Sequence, residues 1–360
     1  MTHRSRFILL SIVGLVAWAT AAMAGGRPRF NQKGNLLIVD QYNNRVIELD
    51  TNTPQTIVWE YEASASKSVT NPIVGPRDAE RVKGLTLIVA GGLPSDVCTT
   101  NCSDNRVIQV NRKGKIVWQY GQKDVAGDGT NELKNPVAAM MLPGKKVLIT
   151  DRGNHRVIVV SRTGKITWQY GTNSVSGVGT NQLSYPACAQ RMGNGHYLIA
   201  DTGNNRVIEV SRKQKILWQY GDPANTNILN GPTYACRLPH GGNTLITDSL
   251  NNRVIEVDKN SNTVFTFVTT NLLGSVEQPH PNRAVRLKKG NTLISDQFNH
   301  QVIEVNTNGV VVFAHGTIGD SGSGTNQLNA PCDAKVVGDF TGLTSPSSGG
   351  AGFDYSSLLY

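Results

Sequence analysis

The chain has 360 residues, of which 39% are hydrophobic, 17% are charged and 37 are Gly, with a formal net charge of +9. This composition excludes a disordered or fibrous chain and fits an all-β protein with many turns. Length alone leaves one large domain or two ordinary ones open, so periodicity must decide.

In chain order, a basic start at Arg4 and Arg6 leads into an apolar run from Phe7 to about Ala21 and then Ala22-Met23-Ala24. A charged region, a short apolar core and a small-x-small site read as a signal peptide over residues 1–24, cleaved after Ala24. The run is shorter than the roughly 20 residues of a membrane span, and no later segment is apolar enough to make one. The mature chain is therefore expected to be exported, secreted or periplasmic, with no transmembrane segment after cleavage and a charge of about +7 once Arg4 and Arg6 are removed.

From Asn44 onward one unit recurs: Asn44-Arg45-Val46-Ile47, Asn105-Arg106-Val107-Ile108, His155-Arg156-Val157-Ile158, Asn205-Arg206-Val207-Ile208, Asn252-Arg253-Val254-Ile255 and His300-Gln301-Val302-Ile303. Steps of 61, 50, 50, 47 and 48 residues between short apolar runs indicate a propeller rather than a helical array. Four strands are read in each unit. The first opens at Pro-x-x-Ala (Pro76, Pro136, Pro186, Pro232, Pro281, Pro331), because proline suits a strand's first residue. The second is Leu-Ile rich, the third is Arg-Val-Ile-Glu-Val, and the fourth carries an aromatic pair such as Trp59/Tyr61 or Trp218/Tyr220. Large rings bury on the order of 150–250 Å² each, so these pairs are read as filling the gap between blades.

The 61-residue step holds Cys98-Thr-Thr-Asn-Cys102, which an exported chain can keep oxidised as a loop staple. Cys188, Cys236 and Cys332 match no metal or haem spacing and are read as buried thiols. The chain begins at a second strand, Gly34 to Val39, and the last Pro-x-x-Ala at Pro331 has no second strand after it. The C-terminal strand should therefore complete the first blade and close the ring, which removes exposed sheet edges. The expectation is one six-bladed propeller of four-stranded antiparallel blades over residues 25–337, followed by a flexible Gly/Ser-rich tail over 338–360.

Elements that repeat blade by blade hold blades together, and the Asp/Arg pair flanking each turn (Asp40/Arg45, Asp151/Arg156, Asp201/Arg206, Asp248/Arg253) is read that way. Positions just inside each Pro break the repeat. There Asp78, Tyr234, Arg283 and Asp333 form a candidate ligand-binding set at the mouth of the central channel, with His280 and His315 expected nearby. If a divalent metal sits in the channel, Asp78, Asp333 and His280 are its candidate ligands, with His280 the candidate general base. The turns between third and fourth strands are basic, and Lys113, Lys115, Lys165, Lys213 and Lys215 make a candidate face for an anionic partner.

The Asp-x-x-Asn-Asn/His-Arg turn, the Gly-Asn-x-Leu-Ile-x-Asp strand and the Gly-x-Gly-Thr-Asn-Gln-Leu-x-x-Pro link resemble NHL-repeat propellers over residues 31–337. The Leu-Ile strand wording is also similar to arylsulfotransferase-type propellers, and the Gly-Lys-Ile-x-Trp turns resemble quinoprotein blades, which usually number eight. The NHL resemblance implies the fold; its family includes protein-binding, RNA-binding and scaffold modules beside lyases and hydrolases. The reading is a noncatalytic extracytoplasmic binding propeller whose partner is a protein or an anionic glycan, nucleic acid being disfavoured by export. The alternative is a metal-dependent lyase or hydrolase working at the channel mouth.

Overall fold

The computed structural model describes residues 29–52, 54–62, 72–82, 84–239 and 242–339. Residues 1–24, read as the signal peptide, lie outside them, as does the tail from 340 onward. Six four-stranded antiparallel sheets form the blades. Blade 1 comprises Pro331–Val336, Leu36–Asp40, Arg45–Asp50 and Thr56–Glu62, ordered outward from the channel. Blades 2 to 6 open with Pro76–Val82, Pro136–Leu142, Cys188–Arg191, Pro232–Arg237 and Pro281–Arg286, and each continues through three sequential antiparallel strands.

Ring closure follows the expected route. Leu36 pairs with Val336 and Ile38 with Ala334, so the last strand is the innermost strand of the first blade. First strands touch their neighbours all the way round, Pro331–Val336 meeting Pro76–Val82. Gly338 and Asp339 still belong to the domain, since Asp339 Oδ2 accepts from Lys288 N at 2.9 Å.

The core is six apolar clusters, one in each gap between neighbouring blades. Second and third strands are buried almost throughout, because a radial sheet packs on both faces. The fourth-strand tryptophans bridge outward: Trp59, Trp118 and Trp168 donate Nε1–H to Arg112 O, Arg162 O and Arg212 O of the next blade at 3.0–3.1 Å. Cys98 and Cys102 are joined in the loop between the second and third strands of blade 2, and Cys188, Cys236 and Cys332 are buried thiols.

A bulge follows the opening Pro in five blades, as between Pro76 and Asp78 or Pro281 and Arg283. It sets the third residue of the innermost strand toward the next blade, across the channel, and alternation sends the fifth the same way.

Candidate functional site

One end of the ring carries the repeated turns. In blade 3, Asp151 Oδ2 accepts from Arg156 Nε at 2.7 Å and Asn154 Nδ2 at 2.8 Å, while Oδ1 accepts from Lys134 N in the incoming link at 2.8 Å. Arg156 also donates to Asp128 O and Glu132 O of that link. Asp40, Asp201 and Asp248 repeat the arrangement. Blade 2 lacks an Asp at the strand end, and Asp104 supplies the carboxylate from beyond the disulfide loop, pairing with Arg106 and accepting from Val74 N at 2.8 Å.

The residue before each Arg has a positive φ of 48–64° (Asn44, Asn105, His155, Asn205, Asn252, His300). Each offers Oδ1 or Nδ1 to a backbone N–H in the link to the next blade, at 2.7–3.1 Å. Asn and His alternate here because Asn and His are among the residues enriched in this conformation and both place an acceptor at the same reach. The turns thus lace each blade to both adjoining links.

His280 belongs to this lacing. It precedes Pro281 with φ 44°, donates N–H to Asn252 Oδ1 at 3.1 Å, and sets its ring against Phe298 (centroids 5.6 Å) and Gln278. Every blade places a positive-φ residue before the equivalent first-strand Pro, so His280 occupies a scaffold position and is not among the channel side chains. His315 is at the end of an outermost strand, facing Gln55 Oε1 at 2.6 Å, with burial and then Arg45 pushing its pKa down to about 4. It too is remote from the mouth, since the fourth strand lies at the rim.

The channel itself brings Asp78, Tyr234, Arg283 and Asp333 together, with a residue the sequence pattern did not single out, Lys335. Lys335 Nζ bridges Asp78 and Asp333 and donates to Ala79 O at 2.7 Å. Arg283 reaches Asp333 at 2.9 Å and Asp78 at 3.4 Å, and lies over the Tyr234 ring at 4.5 Å. The carboxylates also cap the free edge of the next blade: Ala139 N donates to Asp78 Oδ2 at 2.8 Å, Ala79 N to Asp333 Oδ2 at 3.1 Å, and Met141 N to Glu80 Oε2 at 2.8 Å. Innermost strands have no further strand to pair with, and these side chains satisfy their donors.

All six groups are buried, and the void lined by Asp78, Glu80, Tyr234, Arg283 and Lys335 is about 20 Å³, room for a single water. Burial alone would raise the Asp78 carboxyl, but Arg283 and Lys335 overcome it and hold it well below the usual range. Burial leaves Asp333 raised despite the same cations, and burial pushes Glu80 up to about 7. Two cations between two carboxylates make a self-neutralised plug instead of the open mouth expected from the sequence. Of the three candidate metal ligands, Asp78 and Asp333 are paired with Lys335 and Arg283, and His280 sets its ring against Phe298 and Gln278, so the three are not brought together. Lys335 was legible in principle, two residues beyond Asp333 on the same side of the strand.

The opposite end of the ring is basic. Lys113, Lys115, Lys165, Lys213 and Lys215 are exposed and in no ion pair among the described residues. Turns between first and second strands share this end, as expected: Pro143 and Lys146 of such a turn and Arg212 of a third-to-fourth turn wall one cleft of about 490 Å³ between blades 3 and 4.

A closed six-bladed ring with a plugged channel and one basic end is the class of protein these features define. A sequence model of the family described as outer membrane protein assembly factor BamB matches residues 12–266, and the chain belongs to that family. No curated protein matches it. Among solved structures, a protein of unknown function from Bacteroides caccae is 14% identical, over 84% of this chain and 98% of that one, with a TM-score of 0.57. Virginiamycin B lyase from Staphylococcus aureus is 11% identical over 81% of this chain and 87% of its own, TM-score 0.48. BamB from Moraxella catarrhalis is 12% identical over 81% and 76%, TM-score 0.39. Likeness at these identities concerns the fold alone. No helix among the described residues is long and apolar enough to cross a membrane.

Proposed function

We propose that the chain is an exported, noncatalytic binding propeller with NHL-type turns that docks a partner protein on its basic end. The observation that carries this reading is the plug: where a propeller enzyme would admit substrate, buried ion pairs leave about 20 Å³. A lyase or hydrolase at the mouth would need the space that Lys335 and Arg283 fill. The basic end, by contrast, offers free cations beside clefts between blades, and charge of one sign steers an oppositely charged partner. Membership of a family described as an outer membrane protein assembly factor supports a protein as the partner and an extracytoplasmic site of action.

The test replaces Lys113, Lys165 and Lys213 by Glu. Wild-type protein should be retained on an anionic matrix in a salt-sensitive manner, and the triple variant should elute with the void while unfolding at the same temperature. Unchanged retention of the variant would retire the docking end.

A further inference from the structure

Three interfaces between blades share an ion pair on the basic side of the ring. Glu48 pairs with Arg81 at 2.7 Å, Glu209 with Arg237 at 3.0 Å and Glu256 with Arg286 at 2.7 Å, the acid from a third strand and the arginine from the next blade's first strand. Each arginine lies over the acid blade's fourth-strand aromatic, Trp59, Trp218 or Phe265, at 4.5–5.5 Å. At two other interfaces the pair is lost with compensation. At the arginine's repeat position blade 3 has Met141 and blade 1 has Val336, and the third-strand residues take other partners: Gln109 takes Arg162 at 2.7 Å and Glu304 takes Lys289 at 2.8 Å.

Between blades 3 and 4 the acid is Val159 while the arginine, Arg191, is kept. Arg191 makes no ion pair among the described residues, and its hydrogen bond is to Tyr197 Oη at 3.3 Å. Tyr197 takes the place of Arg191 on the Trp168 ring, stacking at 3.8 Å and 19°, and Arg191 lies over Tyr197 instead, at 5.5 Å, so its ring contact is kept while its acid is missing. The cleft of about 490 Å³ lies here, with Met140, Met192 and Trp168 as apolar walls and Arg191 and Arg212 as cations.

We propose that this cleft binds a carboxylate borne next to an apolar side chain on an acidic segment of a partner protein, an assignment that rests on the docking reading above. The ligand carboxylate replaces the acid that Val159 omits, received by the Arg191 fork. Its apolar neighbour packs on the methionines and the Trp168 edge, surfaces that adapt to varied shapes.

The probes are the peptide acetyl-Gly-Leu-Phe-Glu-Gly-amide, its Gln counterpart, and the pair 4-phenylbutyrate and 4-phenylbutyramide. Binding is followed by the NMR signal of the Trp168 indole N–H. The Glu peptide should bind at least tenfold more tightly than the Gln peptide. Arg191→Gln should erase that ratio, Arg191→Lys should keep part of it, and Val159→Glu, which restores the repeat's internal acid, should close the site. Equal binding of the two peptides to wild type, or a ratio unchanged in Arg191→Gln, overturns the proposal. Discrimination confined to the phenylbutyrate pair overturns the protein segment as the source. If wild type keeps salt-sensitive retention on the anionic matrix but shows no peptide discrimination, the cleft fails and the docking end stands; with discrimination but no retention, the docking end fails and the cleft stands.

Discussion

The turns at one end of the ring and the plug in its channel both bury aspartates against arginines, but they differ in number. Asp40, Asp151, Asp201 and Asp248 meet an arginine five positions on, each within 2.6–2.8 Å, and each also caps the link entering its blade. Asp78, Asp333, Arg283 and Lys335 occur once, drawn from three blades. A repeated pair is maintained by local geometry within one blade. The single cluster is maintained only when blades 1, 2 and 6 are all in place, so it reports on ring closure, where the last strand meets the first. Failure to repeat therefore marks two different things here: a keystone in the channel and an open acceptor site at Val159 and Arg191.

Removing one member of the plug should have the largest effect. Asp78→Ala leaves Lys335 and Arg283 buried with a single anion, and breaking a buried pair in this way costs about 3–5 kcal/mol. Chemical unfolding would measure it, and a loss below about 1 kcal/mol would show that the channel is wetter than its 20 Å³ void implies. Asp78→Asn, which keeps an acceptor for Ala139 N, should cost less. The turns should come next. Arg156→Ala removes a guanidinium whose side chain is 1% exposed, at about 2–3 kcal/mol, whereas Arg253→Ala, with 28% exposure, should cost about 1 kcal/mol. Equal losses would mean that burial is not what separates the copies.

Blade 6 breaks the repeat within the turns. Gln301 stands where the other blades have Arg, and Asp296 Oδ1 has no hydrogen-bond partner among the described residues. Burial consequently pushes Asp296 up to about 7, with Asn299 and Gln301 only partly offsetting it. A carboxyl raised above its unfolded value of 3.8 binds its proton more tightly when folded, so its contribution is present below about pH 4 and is lost as pH rises to about 7. Gln301→Arg should lessen this rise without abolishing it, since burial also raises the Arg-paired Asp40, Asp151, Asp201 and Asp248, and should add about 1.5 kcal/mol at pH 7.5 and little at pH 4. Thermal unfolding across that range reads the outcome, and a gain that does not depend on pH would remove Asp296 as its cause.

The sheets, their number and the closing strand were legible because each depends on period and on proline and turn chemistry within about 50 residues. The gathering of Asp78, Tyr234, Arg283 and Asp333 was legible from equal register in different blades. That they seal the channel was not, because sealing depends on a bulge after Pro76 and Pro281 and on Lys335 crossing between blades. His280 was placed near the mouth because it adjoins the first-strand Pro281, but its backbone N–H is spent on lacing to Asn252. Arg191 escaped notice because its missing partner is 32 positions away in another blade, and a gap shows only once the three complete pairs are known.

The smallest effect belongs to the lacing acceptors. His155 and His300 use Nδ1 to accept from Tyr185 N and Ala330 N, a bond that a protonated ring cannot make. Burial lowers both pKa values below 6.5, helped at His155 by Lys134 and Arg152 and opposed at His300 by Asp320. A depressed histidine binds its proton less readily when folded, so stability is complete above pH 6.5 and falls as pH drops through the folded value. His155→Asn and His300→Asn, which adopt the form used in the other four blades, should change stability at pH 8 by under about 0.5 kcal/mol and flatten its decline toward pH 5. His155→Ala should instead cost about 1 kcal/mol at pH 8, having neither the acceptor nor ease at φ 53°. If Asn and Ala behave alike, the acceptor is not what selects the residue, and the parallel between the six turns loses its chemical basis.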